Sequence, residues 1–294
     1  MDTFIAVLVS GLTNGALYAL ATLGLSLVWG SMGMLNMAHG AMLALGGYMV
    51  FTVSSALGLP IWIAIMTAAG AGALFGGLLY FCVVRPLLKA GGPGFETSVM
   101  IATVGVSIAL QNAILLTYGG QALRQPFDVS GALTIGKSVV PMLNVTIVLV
   151  SLAVMAVMGV LIARTKMGRA IRATAQNREA AVLVGVPVER TYLQVLALSG
   201  ALAGICGVLL SAVTQLSPTL GADPMLKAFI MCVVAGLGNL PGAVIAAFGL
   251  ALIEATVQFN LGARWGFPVL LLLVIATLIW RPNGLFGRAQ IRRM

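Results

Sequence analysis

The chain has 294 residues, of which 60% are hydrophobic and only 8% are charged. Soluble domains carry about 25% charged residues, so a water-soluble fold of this length could not cover its surface. The composition therefore excludes an ordinary soluble protein and indicates an integral membrane protein. The net charge of +9 does not indicate nucleic-acid binding, because the basic residues cluster between the apolar runs. We expect lipid, and no nucleic acid, as the surrounding partner.

Nine apolar runs follow one another along the chain, and most reach the roughly 20 residues that a transmembrane helix requires. They cover residues 4–29, 34–57, 60–84, 97–118, 141–163, 191–214, 225–238, 242–260 and 266–280. Lipid-facing barrel strands would alternate apolar and polar residues instead. We therefore predict an all-α, polytopic helical membrane protein with about eight or nine transmembrane helices. No linker divides the chain, so we predict a single transmembrane domain over residues 1–294, and we expect the first run to remain in the membrane.

Two apolar runs are interrupted by glycines and polar residues. Residues 30–43 (GSMGMLNMAHGAML) contain Asn36 and His39, and residues 235–244 (AGLGNLPGAV) contain Asn239. Backbone groups freed by a helix break are tolerated at membrane depth only inside protein or beside a water-filled cavity. Paired breaks in the two halves of a chain are typical of transporters with an internal repeat. A tight turn between two helices would explain each patch equally well.

Few ionisable side chains fall inside the apolar runs. Glu254 does, and intramembrane carboxylates often mark a transport route, although pairing with a neighbouring helix is the simpler explanation. Lys227 and Asp223 lie near the end of a run, where snorkelling toward the interface would explain them. The candidate residues for a translocation route, all expected to face the protein interior, are Asn36, His39, Asn239 and Glu254.

Several kinds of site are missing from the sequence. The pattern G-x-x-x-x-G-K-[ST] occurs only at residues 131–138 (GALTIGKS), between two apolar runs where no strand-to-helix unit is predicted, so we expect no ATPase site in this chain. The single histidine and the three cysteines show no metal-ligand spacing. We therefore predict no enzyme activity, no catalytic residue, no metal and no cofactor. A transporter without an energy source of its own needs a partner that supplies the energy.

Residues 164–190 form a polar, basic segment between two apolar runs. Six of the 16 Lys and Arg residues lie in it, and four more are Arg281, Arg288, Arg292 and Arg293 in the tail. Because Lys and Arg are enriched in cytoplasmic loops, we predict that both regions are cytoplasmic and separated by four crossings. Counting backward places the N-terminus outside and makes residues 119–140 the main external loop.

A short helix is predicted at residues 178–184 within this segment. Asn177 can cap it by accepting an orphan backbone N–H, and Glu179 in its first turn suits the helix dipole. Gly185 and the proline that follows should end it. Its small and apolar surface consists of Ala180, Ala181, Leu183 and Val184. Too short to be stable alone, it is expected to lie in a groove, although a solvated loop that only sets topology is an alternative.

The motif Glu179-Ala180-Ala181-x-x-x-Gly185 resembles the EAA…G motif of ABC importer permeases, which forms the coupling helix that docks in a cleft of the cytoplasmic ATPase. Four longer stretches are similar to the LivH-type permease of branched-chain amino acid importers. They are GLSLVWGSMGMLNMAHGAMLALGGY (24–48), RTKMGRAIRATAQNREAAVLVGV (164–186), GLGNLPGAVIAAFGLALIEA (236–255) and WRPNGLFG (280–287). They occur in the expected order and together extend over most of the chain.

This resemblance implies a permease subunit of an ATP-driven importer for branched-chain or other hydrophobic amino acids in the bacterial inner membrane. The implied partners are a second related permease, two cytoplasmic ATPase subunits that bind ATP, and a periplasmic substrate-binding protein. Urea or short amides are alternative cargos, and a self-sufficient channel or carrier is the alternative from another class. The implied ATPase-coupling residues are Arg178, Glu179, Ala180, Ala181, Leu183 and Gly185.

The predicted topology can be tested with single cysteines at Gln176 and at Gln290 in a background without the native cysteines. Both should be protected from an impermeant thiol reagent in intact cells, because both basic regions are predicted to be cytoplasmic. Both should react after permeabilisation, which controls for accessibility. Labelling of either position from outside would contradict the charge argument.

Overall fold

The computed structural model describes residues 2–91, 94–125, 129, 131–135 and 138–287, and most of them are α-helical. In chain order the helices are α1 (Asp2–Met32), α2 (His39–Phe51), α3 (Ile61–Leu79), α4 (Arg85–Ala90), α5 (Phe95–Tyr118), α6 (Met142–Arg164), α7 (Lys166–Gln176), α8 (Arg178–Leu183), α9 (Val188–Val213), α10 (Ala222–Ala235), α11 (Leu240–Leu261) and α12 (Gly266–Trp280). The π-helical segments Thr52–Ala56 and Tyr80–Val84 extend α2 and α3. A 3-10 turn, Ala263–Trp265, precedes α12.

The prediction of a polytopic helical membrane protein is confirmed. Within the described part of the chain, 7 helical stretches are long and apolar enough to cross a membrane. The predicted run 225–238 instead contains α10, whose 14 residues span about 20 Å at 1.5 Å per residue, less than a hydrocarbon core of about 30 Å. The predicted run 34–57 contains α2 and its π-helical extension, but the first residue of α2, His39, lies beside Ala21 of α1, so this helix begins inside the bundle. The predicted eight or nine helices thus separate into seven full spans and two partial ones.

The loop between α5 and α6 contains regular structure that the all-α prediction missed. The strands β1 (Ala132–Ile135) and β2 (Ser138–Pro141) form an antiparallel hairpin. Nearby, the backbones of Leu123 and Leu216 exchange hydrogen bonds of 2.9 and 2.8 Å. This bridge ties the loop to the segment between α9 and α10.

Helix α9 lies at the centre of the bundle and buries side chains along most of its length. It packs against α1, α2 and α3. Gly200 of α9 lies so close to Gly72 of α3 that a Cβ at position 200 would be 2.7 Å from the carbonyl carbon of Gly72. Small residues permit such close approach between membrane helices, and this explains the glycines spread through the apolar runs.

The contacts of α1 give the direction of its neighbours. Tyr18 meets Lys227 and Gly30 meets Gly238, so α10 runs parallel to α1. Helices α9 and α11 run antiparallel to α1. After α12 the chain returns to the end of α10, so α9 to α12 alternate in direction. Three of these four helices are long enough to span a membrane and α10 is shorter, so the four predicted crossings stay a prediction. Arg288, Gln290, Arg292 and Arg293 lie outside the described residues.

The close contact between α3 and α9 leads to a prediction. Gly200→Ala should lower the free energy of unfolding by about 1–3 kcal/mol, because the added methyl group overpacks a backbone contact. Gly159→Ala in α6 is the matched control, since a Cβ there would meet open space. Thermal unfolding in detergent measures both variants. Equal melting temperatures for the two variants would contradict the packing described for α9.

Candidate functional site: the cytoplasmic segment and the broken helices

The basic segment begins with α7, which packs against the end of α6. The hydroxyl group of Thr165 accepts a hydrogen bond of 3.0 Å from the N–H of Gly168 and thereby caps α7. The Arg172 guanidinium donates to the carbonyl group of Ile162 near the end of α6. A cation is favourable at a helix C-terminus. Arg172 therefore helps to hold α7 against the end of α6, while the role of the basic residues in setting topology stays a prediction.

Helix α8 forms where the sequence predicted it and ends one residue earlier. The side chain of Asn177 accepts a hydrogen bond of 2.9 Å from the N–H of Ala180, which confirms the predicted cap. Glu179 lies in the first turn. Gly185 follows the helix with φ of +81°, a conformation that a side chain with a Cβ rarely adopts. This glycine allows the tight exit from α8 into α9.

The structure corrects the prediction that Ala181 belongs to a surface facing a partner. Ala181 is only 3% exposed and lies in the core of this chain, together with Val188 and Tyr192 of α9. Its small side chain is explained by internal packing, so a bulky residue there would disturb the permease itself. Ala180, the neighbouring residue, is exposed.

The opposite side of α8 and the residue after it carry an apolar patch, consisting of Val182, Leu183 and Val184. All three are exposed, and Leu183 is 88% exposed. Arg178, at the start of the helix, lies 5.8 Å from the ring centroid of Tyr192, a distance suited to a cation–π contact that fastens α8 to α9. The helix is therefore held by its own chain on one side and is uncovered on the other.

The first break separates α1 from α2. The Asn36 side chain accepts a hydrogen bond of 3.1 Å from the N–H of Ala38, and its own Nδ2 is buried without a partner. The N–H of Met37 donates to the hydroxyl group of Thr103 in α5, also at 3.1 Å. Protein groups thus satisfy the backbone that the break frees, and Asn36 faces the interior as predicted.

His39 begins α2 and is completely buried. Its Nε2 lies 3.1 Å from the carbonyl oxygen of Ala21 in α1, and its Nδ1 lies 3.4 Å from the hydroxyl group of Ser199 in α9. The imidazole therefore links three helices at one point. The contacts place His39 in the protein interior, as the sequence predicted, while its role in translocation stays a prediction.

The second break separates α10 from α11. Asn239 caps α11 by accepting a hydrogen bond of 3.0 Å from the N–H of Gly242, and its amide donates to the carbonyl group of Phe286 at 2.8 Å. The N–H of Leu285 donates to the carbonyl group of Val234 at 2.8 Å. The segment after α12 therefore supplies hydrogen-bond donors to the free carbonyl groups at the end of α10. The sequence did not predict this role, because the segment shows no helical periodicity.

The second break lies against the end of α1. A Cβ placed on Gly30, in the last turns of α1, would lie 2.9 Å from the Cα of Gly238. Asn239, the next residue, is half-buried. The structure thus brings the end of α1 and the second break together. Asn36, in the first break, and His39, directly after it, are buried in the protein interior.

Glu254 belongs to a cluster of charged and polar groups that joins three helices. Its Oε1 lies 2.8 Å from Nζ of Lys227 and accepts a hydrogen bond of 2.9 Å from Gln258. Lys227 also lies 3.0 Å from Oδ2 of Asp223 and donates to the hydroxyl group of Tyr18 at 3.0 Å. The three donors of the ammonium group therefore meet acceptors from α1, α10 and α11.

The interpretation of Lys227 as a snorkelling residue at the membrane boundary was wrong. Its side chain is buried, and its ammonium group points to acceptors inside the bundle. The spacing of Asp223 and Lys227, four residues apart on one helix, was the signal available in the sequence. No such signal indicated the pairing of Lys227 with Glu254, because the two residues are 27 positions apart in the sequence.

Together these features are typical of a multi-pass membrane transport subunit. They are the continuous spans, the two partial helices beside the breaks, and a short helix that is uncovered on one side. The sequence profile of the family described as "Branched-chain amino acid transport system / permease component" matches residues 7–279. The chain belongs to this family. It is a permease component of the inner membrane, as its sequence predicted.

Two bacterial relatives are similar over almost their whole length. The high-affinity branched-chain amino acid transport system permease protein BraD of Pseudomonas aeruginosa is 31% identical over 98% of this chain and 97% of its own. The corresponding protein LivH of Escherichia coli is 29% identical over 99% and 98%. A shorter match, to the xylose transport system permease protein XylH of Haemophilus influenzae, is 39% identical over 34% of this chain and 27% of its own. No solved structure matches the chain.

The charged cluster leads to a prediction about stability. Lys227→Met should lower the free energy of unfolding by about 3–5 kcal/mol, because it leaves the buried Glu254 carboxylate without its cation. The double variant Lys227→Met with Glu254→Leu should recover most of this loss, since it removes both charges. Thermal unfolding in detergent compares the two. If the double variant melts no higher than the single one, the ion pair is not what stabilises this region.

Proposed function

We propose that this chain is the transmembrane permease subunit of an ATP-driven importer for branched-chain or other hydrophobic amino acids. The observation that carries the proposal is the full-length similarity to BraD and LivH, both named as permeases for branched-chain amino acids. The match to the xylose permease covers only 34% of the chain, which supports a shared scaffold and not a sugar cargo.

In this proposal the chain is not an enzyme and holds no cofactor. ATP is bound and hydrolysed by two cytoplasmic ATPase subunits, while a second related permease and a periplasmic binding protein complete the importer. The single match to the phosphate-binding pattern, residues 131–138, falls on the paired strands β1 and β2 and not at the start of a helix, which supports this division of labour. The uncovered apolar patch supports it as well, because exposed apolar surface next to polar residues is typical of an interaction site.

Helix α8 is the proposed contact with an ATPase subunit. Leu183 and Val184 would enter an apolar cleft, Ala180 would allow close approach, and Glu179 would meet donors at the rim. Ala181 does not take part, because it faces the permease core. Since its own chain already holds α8 in helical form, docking requires little additional ordering, which favours binding.

The central helix α9 provides a route from this contact to the breaks. Helix α8 leads into α9 after only four residues, and Arg178 also contacts α9. Farther along α9, Ser199 lies next to His39 at the start of α2. A displacement of α8 during ATP hydrolysis would therefore reach the first break through one rigid, buried helix. This is how the geometry supports coupling between ATPase and translocation.

The selection of cargo is assigned to the binding protein in this proposal. The side chains at the breaks, Asn36, His39 and Asn239, are few, and none is a carboxylate or an ammonium group. They suit a route that cargo passes, and they offer little that would distinguish one hydrophobic amino acid from another. Asn36, His39, Asn239 and Glu254 keep their proposed place on or beside this route.

The contact proposed for α8 can be tested with Leu183→Asp. A carboxylate carried into an apolar cleft should weaken ATPase attachment by roughly 2 kcal/mol or more, because a buried charge without a partner is strongly unfavourable. The permease itself should fold normally, since Leu183 is exposed. Co-purification of the ATPase subunits with the tagged permease measures the effect.

Leu183→Met is the matched control and should retain the ATPase subunits, because it keeps an apolar side chain of similar volume. If both variants recover the ATPase equally well, α8 is a solvated loop that only sets topology, and the coupling role would have to be abandoned.

A further inference from the structure

The charged cluster around Lys227 carries an excess of one negative charge. Asp223 and Glu254 supply two carboxylates, and Lys227 is the cation paired with both among the described residues. The remaining donor of Lys227 goes to Tyr18. Glu254 is 1% exposed, and its Oε2 is buried without a hydrogen-bond partner. With both carboxylates ionised, one further cationic group would neutralise the cluster.

Asp223 lies at membrane depth. Tyr18 of α1 meets Lys227, and Thr22 lies 3.9 Å from the sulfur of Met231, so α10 runs beside α1 in a constant register. Asp223 precedes Lys227 by four residues and is therefore level with about residue 14 of the 31-residue α1. That position is within one turn of the midpoint of the helix. An ionised carboxylate facing lipid at this depth would be costly.

The side chain of Asp223 is nevertheless 66% exposed. Its neighbours Ala222 and Leu226 are exposed as well, so this chain leaves that face of α10 uncovered. Immediately before α10, residues 217–219 line a groove of about 350 Å³ together with Gln111 and Asn112 of α5. The N–H of Ala222, the residue before Asp223, donates to the carbonyl group of Thr219 at 3.0 Å, so this groove with hydroxyl and amide groups ends about one turn before the carboxylate.

We propose that Asp223 receives the ammonium group of the transported amino acid as it passes through the membrane. This inference rests on the proposed function, which supplies a zwitterionic cargo. The ammonium group neutralises the excess charge of the cluster, and the hydroxyl and amide groups of the neighbouring groove can donate to the cargo carboxylate. Lys227 and Glu254 hold Asp223 in place from the buried side. A single carboxylate of this kind makes a weak, transient site, as a transport route requires.

A basic side chain of the second permease is a different possible occupant of this face. We favour the cargo, because an ion pair closed between two subunits would leave the polar groove beside α5 without a ligand. The two occupants predict different results, since only the subunit contact requires Asp223 for assembly.

The test is leucine uptake by proteoliposomes that contain the complete importer, with loaded binding protein at saturation. Asp223→Asn should lower the maximal uptake rate on the order of tenfold, since a hydrogen bond to a charged group contributes about this factor or more. Asp223→Glu should retain most of the rate. Glu96→Gln, which neutralises an exposed carboxylate at the start of α5, should leave uptake unchanged.

Assembly is measured on the same samples. Asp223→Asn keeps the contact between Lys227 and Glu254, so it should fold and co-purify with the second permease. Undiminished uptake by Asp223→Asn would overturn the inference, as would equal losses in the Asn and Glu variants. Loss of the second permease on purification would assign Asp223 to a subunit contact instead. Absence of ATP-dependent uptake by the wild-type importer would overturn the proposed function itself, and this inference with it.

Discussion

Backbone polar groups at membrane depth have to find their partners inside the protein, and the architecture of this permease depends on that constraint. The seven long helices satisfy it within themselves. Where helices break, other elements supply the hydrogen-bond partners. The hydroxyl group of Thr103 in α5 accepts a hydrogen bond from a backbone N–H of the first break, and backbone N–H groups after α12 donate to carbonyl groups at the end of α10. Elements that look peripheral in the sequence are thereby tied to the two places where the helices are interrupted.

The partial helices α2 and α10 need additional anchors, because neither crosses the membrane alone. Helix α2 is held by close packing against α9 and by the imidazole of His39, which bridges α1 and α9. Helix α10 is held by Lys227, which binds groups on α1 and α11. One buried helix and one buried ammonium group therefore position the two breaks. The same helix α9 leads outward to α8, and this links the breaks to the cytoplasmic side.

The sequence predicted the class, the spans, both breaks and the cap of α8, because each follows from local composition or from a short motif. It did not predict that Ala181 faces inward, since the EAA…G motif specifies small residues but not which side is covered. It also could not pair Lys227 with Glu254, because that contact depends on how α10 and α11 pack. The β-hairpin after α5 was missed as well, since four-residue strands in a polar loop have little periodicity. Long-range packing accounts for each of these differences.

The central claim is that this chain moves amino acids only as part of an ATP-driven importer. Leucine uptake into proteoliposomes tests it most directly, with the permease alone compared with the complete importer supplied with ATP on the α8 side. The account predicts accumulation against a gradient by the complete importer, none when ATP is replaced by a non-hydrolysable analogue, and no flux through the permease alone. Leucine flux down its gradient through the permease alone would contradict the account and identify the chain as a self-sufficient channel or carrier.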